Sequence, residues 1–156
     1  MPRGGDGDIV IVGAEQLAAV TKRLKDAGEQ GKGLRKELLK RIRLAAKPLV
    51  TDVRNSAMDT LPAKGGLNRR VRTGIGVRTR AAGKSVGVRI VAKNRYAIKG
   101  MDRGRLRHPV FGNRNVWVGQ SVRPGWFTRP VEAGADEARK GAVDAIQYIA
   151  RKVEGH

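Results

Sequence analysis

Leu38, Ile42, Ala46, Leu49, Val53 and Ala57 recur at steps of four, four, three, four and four. A helix puts such a series on one face. The spacing predicts a helix from Leu34 to Thr60, about 40 Å long and roughly as wide as a domain of this size. A chain of 156 residues has to be assembled around such a rod. The opposite face carries Lys36, Lys40, Arg43, Lys47 and Arg54. Pro48 removes one backbone donor in the middle, so a kink is expected there. The apolar stripe continues through it, which argues for one helix.

Val131, Ala135, Ala138, Ala142, Ile146, Ile149 and Val153 form a second stripe and predict a helix from Thr128 to Val153. Thr128 suits its N-cap and Pro130 its first turn. Glu132, Asp136 and Glu137 lie early and Arg151 and Lys152 late, as the helix dipole favours. The alanines permit close helix–helix approach, within the protomer or between copies. Ahead of the long helix, Ile9–Val12 reads as a strand. Leu17, Val20 and Leu24 mark a helix from Ala14 to Ala27. Gly28 stops that helix, and Gly31 and Gly33 are expected to keep the link loose.

Between the two long helices the period changes to two. Leu61–Asn68 reads as a loop. Val71, Thr73, Ile75, Val77 and Thr79 then alternate with Arg72, Gly74, Gly76, Arg78 and Arg80. Val86, Val88, Ile90 and Ala92 alternate with Ser85, Gly87, Arg89 and Val91. The pair predicts an antiparallel hairpin joined by Ala81–Lys84, aliphatic on one face and arginine-bearing on the other. Arg95–Ile98 is a candidate third strand, and Gly100–Arg107 a basic loop. The expected fold is α+β: a hairpin or small sheet on a long kinked helix, an Ala-rich C-terminal helix and long basic loops. Residues 1–8 would form a flexible arm ahead of one domain over 9–156, with the basic hairpin and loops at 62–107.

Composition bounds the partners. Lys and Arg number 33 against 14 Asp and Glu, a formal charge of +19. Lys64–Arg123 holds 16 basic residues and one acid, Asp102. Such a field favours a polyanion or an acidic protein surface. The candidate contacts are Arg69, Arg70, Arg72, Arg78, Arg80, Arg89, Arg103, Arg105 and Arg107. Leu, Ile, Val and Phe make up 37 of 156 residues, above the roughly 20% below which high charge implies disorder. The chain contains no cysteine, which excludes disulfides and fits a reducing compartment. No apolar run approaches a membrane span and no secretory signal is visible, so no membrane partner is expected.

Aromatic rings are scarce and clustered. Four of six, Phe111, Trp117, Trp126 and Phe127, fall within Arg107–Pro130, with three of the six prolines. This stretch has little periodicity outside Val116–Val118. It reads as a proline-stiffened loop presenting His108, Pro109, Phe111, Trp117, Trp126 and Phe127 to another subunit or partner. The bland alternative is a satellite core, and Phe127, just before a helix, suits that role best.

Catalytic motifs fail. Gly83-Lys84-Ser85 ends like a phosphate-binding loop, but six residues separate Gly76 from Gly83, and the turn joins strands instead of opening a helix. Zinc ligands are not clustered around His108 or His156. A Ser/His/Asp triad can be assembled only arbitrarily. Asp52 and Asp59 lie two helical turns apart, so a two-carboxylate nuclease is conceivable, though a solvated helix face accounts for them more simply. No enzyme activity, cofactor, metal or small-molecule substrate is expected. The strands lack rings on which bases could stack, so nucleic-acid contact would be to phosphate and sequence-independent.

The order strand, helix, long helix, basic hairpin, Pro/aromatic segment, Ala-rich helix carries a resemblance. So do Tyr96-Ala97-Ile98, Gly100, Arg107-His108-Pro109-Val110-Phe111-Gly112 and Pro124-Gly125-Trp126-Phe127-Thr128-Arg129-Pro130. Together they resemble the neck or tail-completion proteins of long-tailed bacteriophages, including the minor tail protein Z-like group. In that family a Tyr-Ala pair ends a strand, a Gly turn follows, and a Phe-x-x-Pro step, here Phe127–Pro130, leads into the last helix. Many members carry an acidic residue where Lys99 stands, so no ion pair is carried over to that corner. The resemblance implies a non-catalytic virion protein, assembled in the host cytoplasm. It would form a homo-oligomeric ring at the head–tail connector or the top of the tail. It would contact other neck and tail proteins, and DNA through phosphates. The alternative expectation is a sequence-independent nucleic-acid-binding protein, ribosome-associated or nucleoid-like, using the Arg-rich hairpin and loops.

Overall fold

A computed structural model of the chain describes residues 9–10, 14–80, 87–93 and 98–155. The expected arm 1–8, the end of the first strand, the turn at Ala81–Lys84, and Tyr96-Ala97 lie outside the described residues, as does the side chain of Arg80. The fold is α+β. Strand β1 (Ile9–Val10) precedes helices α1 (Ala14–Asp26) and α2 (Gly28–Thr60). A 3-10 turn (Lys64–Gly66), helix α3 (Leu67–Gly74) and strands β2 (Ile75–Arg80) and β3 (Gly87–Ala92) follow. Helix α4 (Ile98–Asp102), strands β4 (Arg105–Val110) and β5 (Asn113–Ser121) and helix α5 (Thr128–Glu154) complete the chain.

The α2–α5 pair is the backbone of the molecule. All six residues of the α2 stripe are buried, and on α5 so are Val131, Ala138, Ala142, Ile146 and Ile149. The small residues serve the protomer: an added Cβ at Gly134 would stand 2.7 Å from Leu49 Cδ1, and at Gly141 2.7 Å from Ala45 Cβ. The helix runs through Pro48 as one element. Leu44, whose carbonyl loses its donor there, is exposed, as is Pro48, so water can replace the missing bond.

A polar clasp closes the far end of this pair. Glu37 accepts hydrogen bonds from Arg41 Nε at 3.2 Å and Lys152 Nζ at 3.3 Å. Arg41 and Lys152 both sit over the Tyr148 ring, at 3.7 and 4.9 Å from its centroid. Burial pushes the Glu37 carboxyl up, but the hydrogen bonds and charges of Lys152 and Arg41 together outweigh it and hold it below the usual carboxylate range. A lowered folded-state pKa gives stability that is present above the unfolded value and lost as pH falls through the folded one. Glu37→Gln is therefore expected to flatten the acid limb of a stability–pH curve, with little change near neutrality in the limb's shape. Thermal melts from neutral to acid pH check it.

Four expectations are corrected. Gly31 and Gly33 do not loosen a link: α2 begins at Gly28, whose φ of +65° makes the break from α1, and Gly31 is a buried contact between the helices. The strand expected from Val71 is helix α3 up to Gly74. Leu67, Val71 and Ile75 step by four as well as fitting a period of two, and buried Asn68 anchors the turn, its Nδ2 donating to Met58 O and its Oδ1 accepting from Arg69 N. The loop expected at Gly100–Arg107 gives way to the end of α4, a turn and the start of β4; of the strand expected at Arg95–Ile98 only Ile98 is described, and it opens α4, buried. Lastly, Thr128 is not the N-cap of α5; Phe127 occupies that place.

The sheet order is β1–β3–β2, antiparallel throughout. Ile75, Val88, Ile90 and Ala92 are buried in the core beside α2, while Arg78 and Arg89 are exposed and directly opposed across the strands. Arg54 forks onto the β2 edge, donating through Nε and Nη2 to Ile75 O at 3.1 and 2.7 Å.

Candidate functional site: a cationic hairpin arm

The stretch read as a non-periodic loop is a second antiparallel hairpin. Arg105 to Pro109 pair in register with Ser121 to Trp117, and a bulge follows at Pro109/Val110. Phe111 and Gly112 turn the chain with φ of +48° and +80°, as a two-residue primed turn requires. Pro109 and the bulge break the alternation that would otherwise have marked β4.

Positive φ is strained for a phenylalanine, and Phe111 is 104% exposed at the hairpin tip. Val116, Trp117 and Val118 are also uncovered, with Trp117 46% exposed. All nine residues of β5 are exposed, and among the described elements β5 packs substantially only on β4. An isolated two-stranded ribbon is marginal in water, and an exposed Val-Trp-Val run on an edge strand is a surface that invites pairing. Trp117 is held in place: its Nε1 donates to Arg114 O at 2.7 Å, and the Arg107 guanidinium lies 5.6 Å from its ring centroid.

Between the arm and the start of α3 lies a groove of about 1200 Å³. Lys64 and Arg70 form one wall; Arg105, Arg107, Arg114 and Trp117 form the other; Leu67, Met101 and Leu106 also line it. Among the described residues no carboxylate lines it. The groove is concave, apolar in its depth and cationic at its rims. That combination suits an acidic protein segment with an apolar anchor better than a convex duplex.

The structure brings some expected contacts together and separates others. Arg70, Arg105, Arg107, His108, Pro109 and Trp117 share the groove. Arg69, Arg72 and Arg103 are exposed outside its lining, on α3 and in the turn after α4. Arg78 and Arg89 are on the three-stranded sheet, and Phe111 is at the tip. Trp126 and Phe127 are corrected from partner anchors to core: each is 2% exposed, and their rings meet edge to face at 5.6 Å. Lys64 and Arg114, missed as contacts, complete the groove; Lys64-Gly65-Gly66 preceding a helix was the available signal.

The arm is rooted by Asp102, the single acid between Lys64 and Arg123. Its Oδ1 accepts from the backbone N–H of Phe127 at 2.7 Å and of Thr128 at 3.1 Å, and its Oδ2 from Thr128 Oγ1. Its carbonyl accepts from Gly125 N at 2.7 Å, and Gly104 O from Val122 N at 3.0 Å. Asp102 thus caps α5 from another element and closes the hairpin stem.

Asp52 and Asp59 are exposed on α2, beside a cleft that also contains Arg123 and Arg129. Among the described residues there is no cluster of three or more His, Cys, Asp or Glu able to hold a metal ion, and no helix long and apolar enough to cross a membrane. Comparison of the chain with protein-family models, curated proteins and solved structures returns no match.

Proposed function

We propose that the protein is a non-catalytic structural component of a tailed-phage virion, forming a ring-like homo-oligomer in the head–tail connector or at the top of the tail. The observation that carries this reading is the arm: a rooted, carboxylate-free hairpin whose Phe111, Val116, Trp117 and Val118 are uncovered. Exposed rigid aromatics beside arginines are the composition of interface anchors, and a marginal ribbon gains its order on docking. The resemblance of Tyr96–Pro130 to the neck and tail-completion proteins supplies the setting. The cationic lining of the groove supports an acidic protein surface as the arm's partner, on a neighbouring copy or a neighbouring ring.

Trp117→Ala tests it. Truncating a half-exposed side chain should change global stability by only about 0.5 kcal/mol, while removing a central anchor weakens an interface by about 2 kcal/mol or more. The expected result is a near-unchanged melting temperature with loss of high-mass oligomer and of incorporation into tails or virions, seen by native mass measurement and electron microscopy. Equal loss of oligomer and of thermal stability would return Trp117 to a folding role. A wild-type protein that stays monomeric and never joins tails would sink the proposal.

A further inference from the structure

The arm is not the only cationic surface. Lys36, Lys40, Arg43 and Lys47 lie within about 60° of arc on α2, over about 16 Å of its axis. All four are exposed. Of the acids of this helix, Glu37, Asp52 and Asp59 lie off that arc; Glu29 shares its angle but lies about 10 Å beyond the stripe toward the N-terminus and is paired with Lys32. The side chains of Lys36, Lys40 and Lys47 make no ion pair or hydrogen bond among the described residues. Arg43 is fixed at the sheet edge, its Nη2 donating to Thr79 Oγ1 at 3.0 Å. A shallow groove of about 340 Å³ runs between this stripe and β2, flanked by Lys40, Arg43, Lys47 and Arg54 and bounded by Gly76 and Val77.

We infer that this α2 face is a second binding site, one that takes the phosphate backbone of a nucleic-acid duplex. Three features separate it from the arm. Among the described residues no aromatic ring and no carboxylate lines it, so it lacks the aromatic anchors that the arm presents. It sits on one continuous helix, and its cations recur every 4.5 to 6 Å along the axis (~1.5 Å per residue), so each can reach a different phosphate of a strand charged about every 3.4 Å. Three of the four cations are lysines, flexible point charges suited to contacts that fix no base. The inference does not rest on the proposed assembly role, because the arm contributes no residue to this face.

The test compares two full-length variants, Lys36→Gln/Lys40→Gln/Lys47→Gln and Arg105→Gln/Arg107→Gln/Arg114→Gln. Each is titrated by fluorescence anisotropy against a short mixed-sequence DNA duplex and its RNA counterpart over a range of salt. Loss of three phosphate contacts should reduce the slope of log K against log salt by about 2.7, and affinity near 0.1 M salt by about 10²-fold or more, on either duplex. The arginine variant should keep a slope within about one of wild type. Circular dichroism and melting curves establish that both variants are folded, as all six positions are on exposed faces. A wild-type slope in the lysine variant overturns the inference. So does displacement of the duplex by poly-glutamate as readily as by unlabelled duplex, which would assign the face to an acidic protein.

Discussion

Gly31→Ala is expected to cost about 3 kcal/mol, the upper end for overpacking a closed contact. A Cβ there would stand 1.7 Å from the carbonyl oxygen of Leu24 and 2.7 Å from its carbon. Both are backbone atoms of α1, so no rotamer change relieves the overlap, and the helices have to part. Leu24 is 1% exposed and belongs to the core, so parting them also returns apolar surface to water. Gly33 is the control. It lies two residues on, in the same helix, with nothing within 4 Å of its added Cβ. Gly33→Ala should stabilise by about 0.5–1 kcal/mol through helix propensity and lower unfolded-state entropy. For a domain of this size the two variants should melt on opposite sides of wild type, Gly31→Ala lower by about 6–12 °C. Similar destabilisation by both would mean that α1 does not press on α2 at Gly31.

These two glycines show where sequence reading succeeds and stops. Period and burial are linked by elementary geometry, so the α2 stripe was legible to the residue, five of the seven α5 stripe positions are fully buried, and β2 was legible only from Ile75 on. Glycine carries no such signal: the same residue type relaxes a loop, breaks a helix at Gly28, or makes room for a backbone at Gly31. Only the spatial neighbour distinguishes them. Lysine and arginine patterns failed in a similar way. Arg72 looks like part of the polar half of a strand until Asn68 and the Gly65–Gly66 turn redirect the chain into α3.

The candidate site was half legible. The concentration of rings and prolines marked Arg107–Pro130 as special, but the two strands were hidden because β5 is exposed on both faces. Burial on one face is what writes alternation into a sequence, and β5 has none within the protomer. Phe127, just before a helix, suited the core from the start, but Trp126 looked equivalent to Trp117 in composition; it differs because α4 delivers Asp102 to the start of α5 beside it. Charge was legible as a total and misleading as a map. The segment from Lys64 to Arg123 is the polycation by count, while the α2 stripe, diluted along a nearly balanced stretch, reads as an ordinary solvated face until Glu37, Asp52 and Asp59 are seen to lie on another side and Glu29 to be paired with Lys32 beyond its end.

Asp102→Ala should lower stability by about 2–3 kcal/mol, because it removes more than a conventional cap. Charge-assisted bonds to a carboxylate are worth about 1.5–3 kcal/mol and helix caps about 0.5–2. Here one carboxylate serves the N–H groups of Phe127 and Thr128 and the Thr128 hydroxyl. Losing it leaves two helix N-terminal donors without a partner beside the fully packed Phe127. Asp102→Asn retains one acceptor oxygen and should lose about half as much. Asp59→Ala, at an exposed position with no ion pair among the described residues, is the surface control and should shift stability by less than about 0.5 kcal/mol. Amide exchange gives the local readout: Phe127 and Thr128 should exchange faster in Asp102→Ala, ahead of the centre of α5. The arm's stem starts from the same corner: Gly125 N donates to Asp102 O and Val122 N to Gly104 O, backbone bonds that Asp102→Ala retains but whose alignment depends on the carboxylate holding the start of α5. Under the proposed assembly role, Asp102→Ala should therefore lose oligomer at temperatures well below its melting point, with Trp117 and every groove arginine intact. An Asp102→Ala protein that melts with Asp59→Ala and exchanges like wild type would show that α5 and the arm are held independently of this carboxylate.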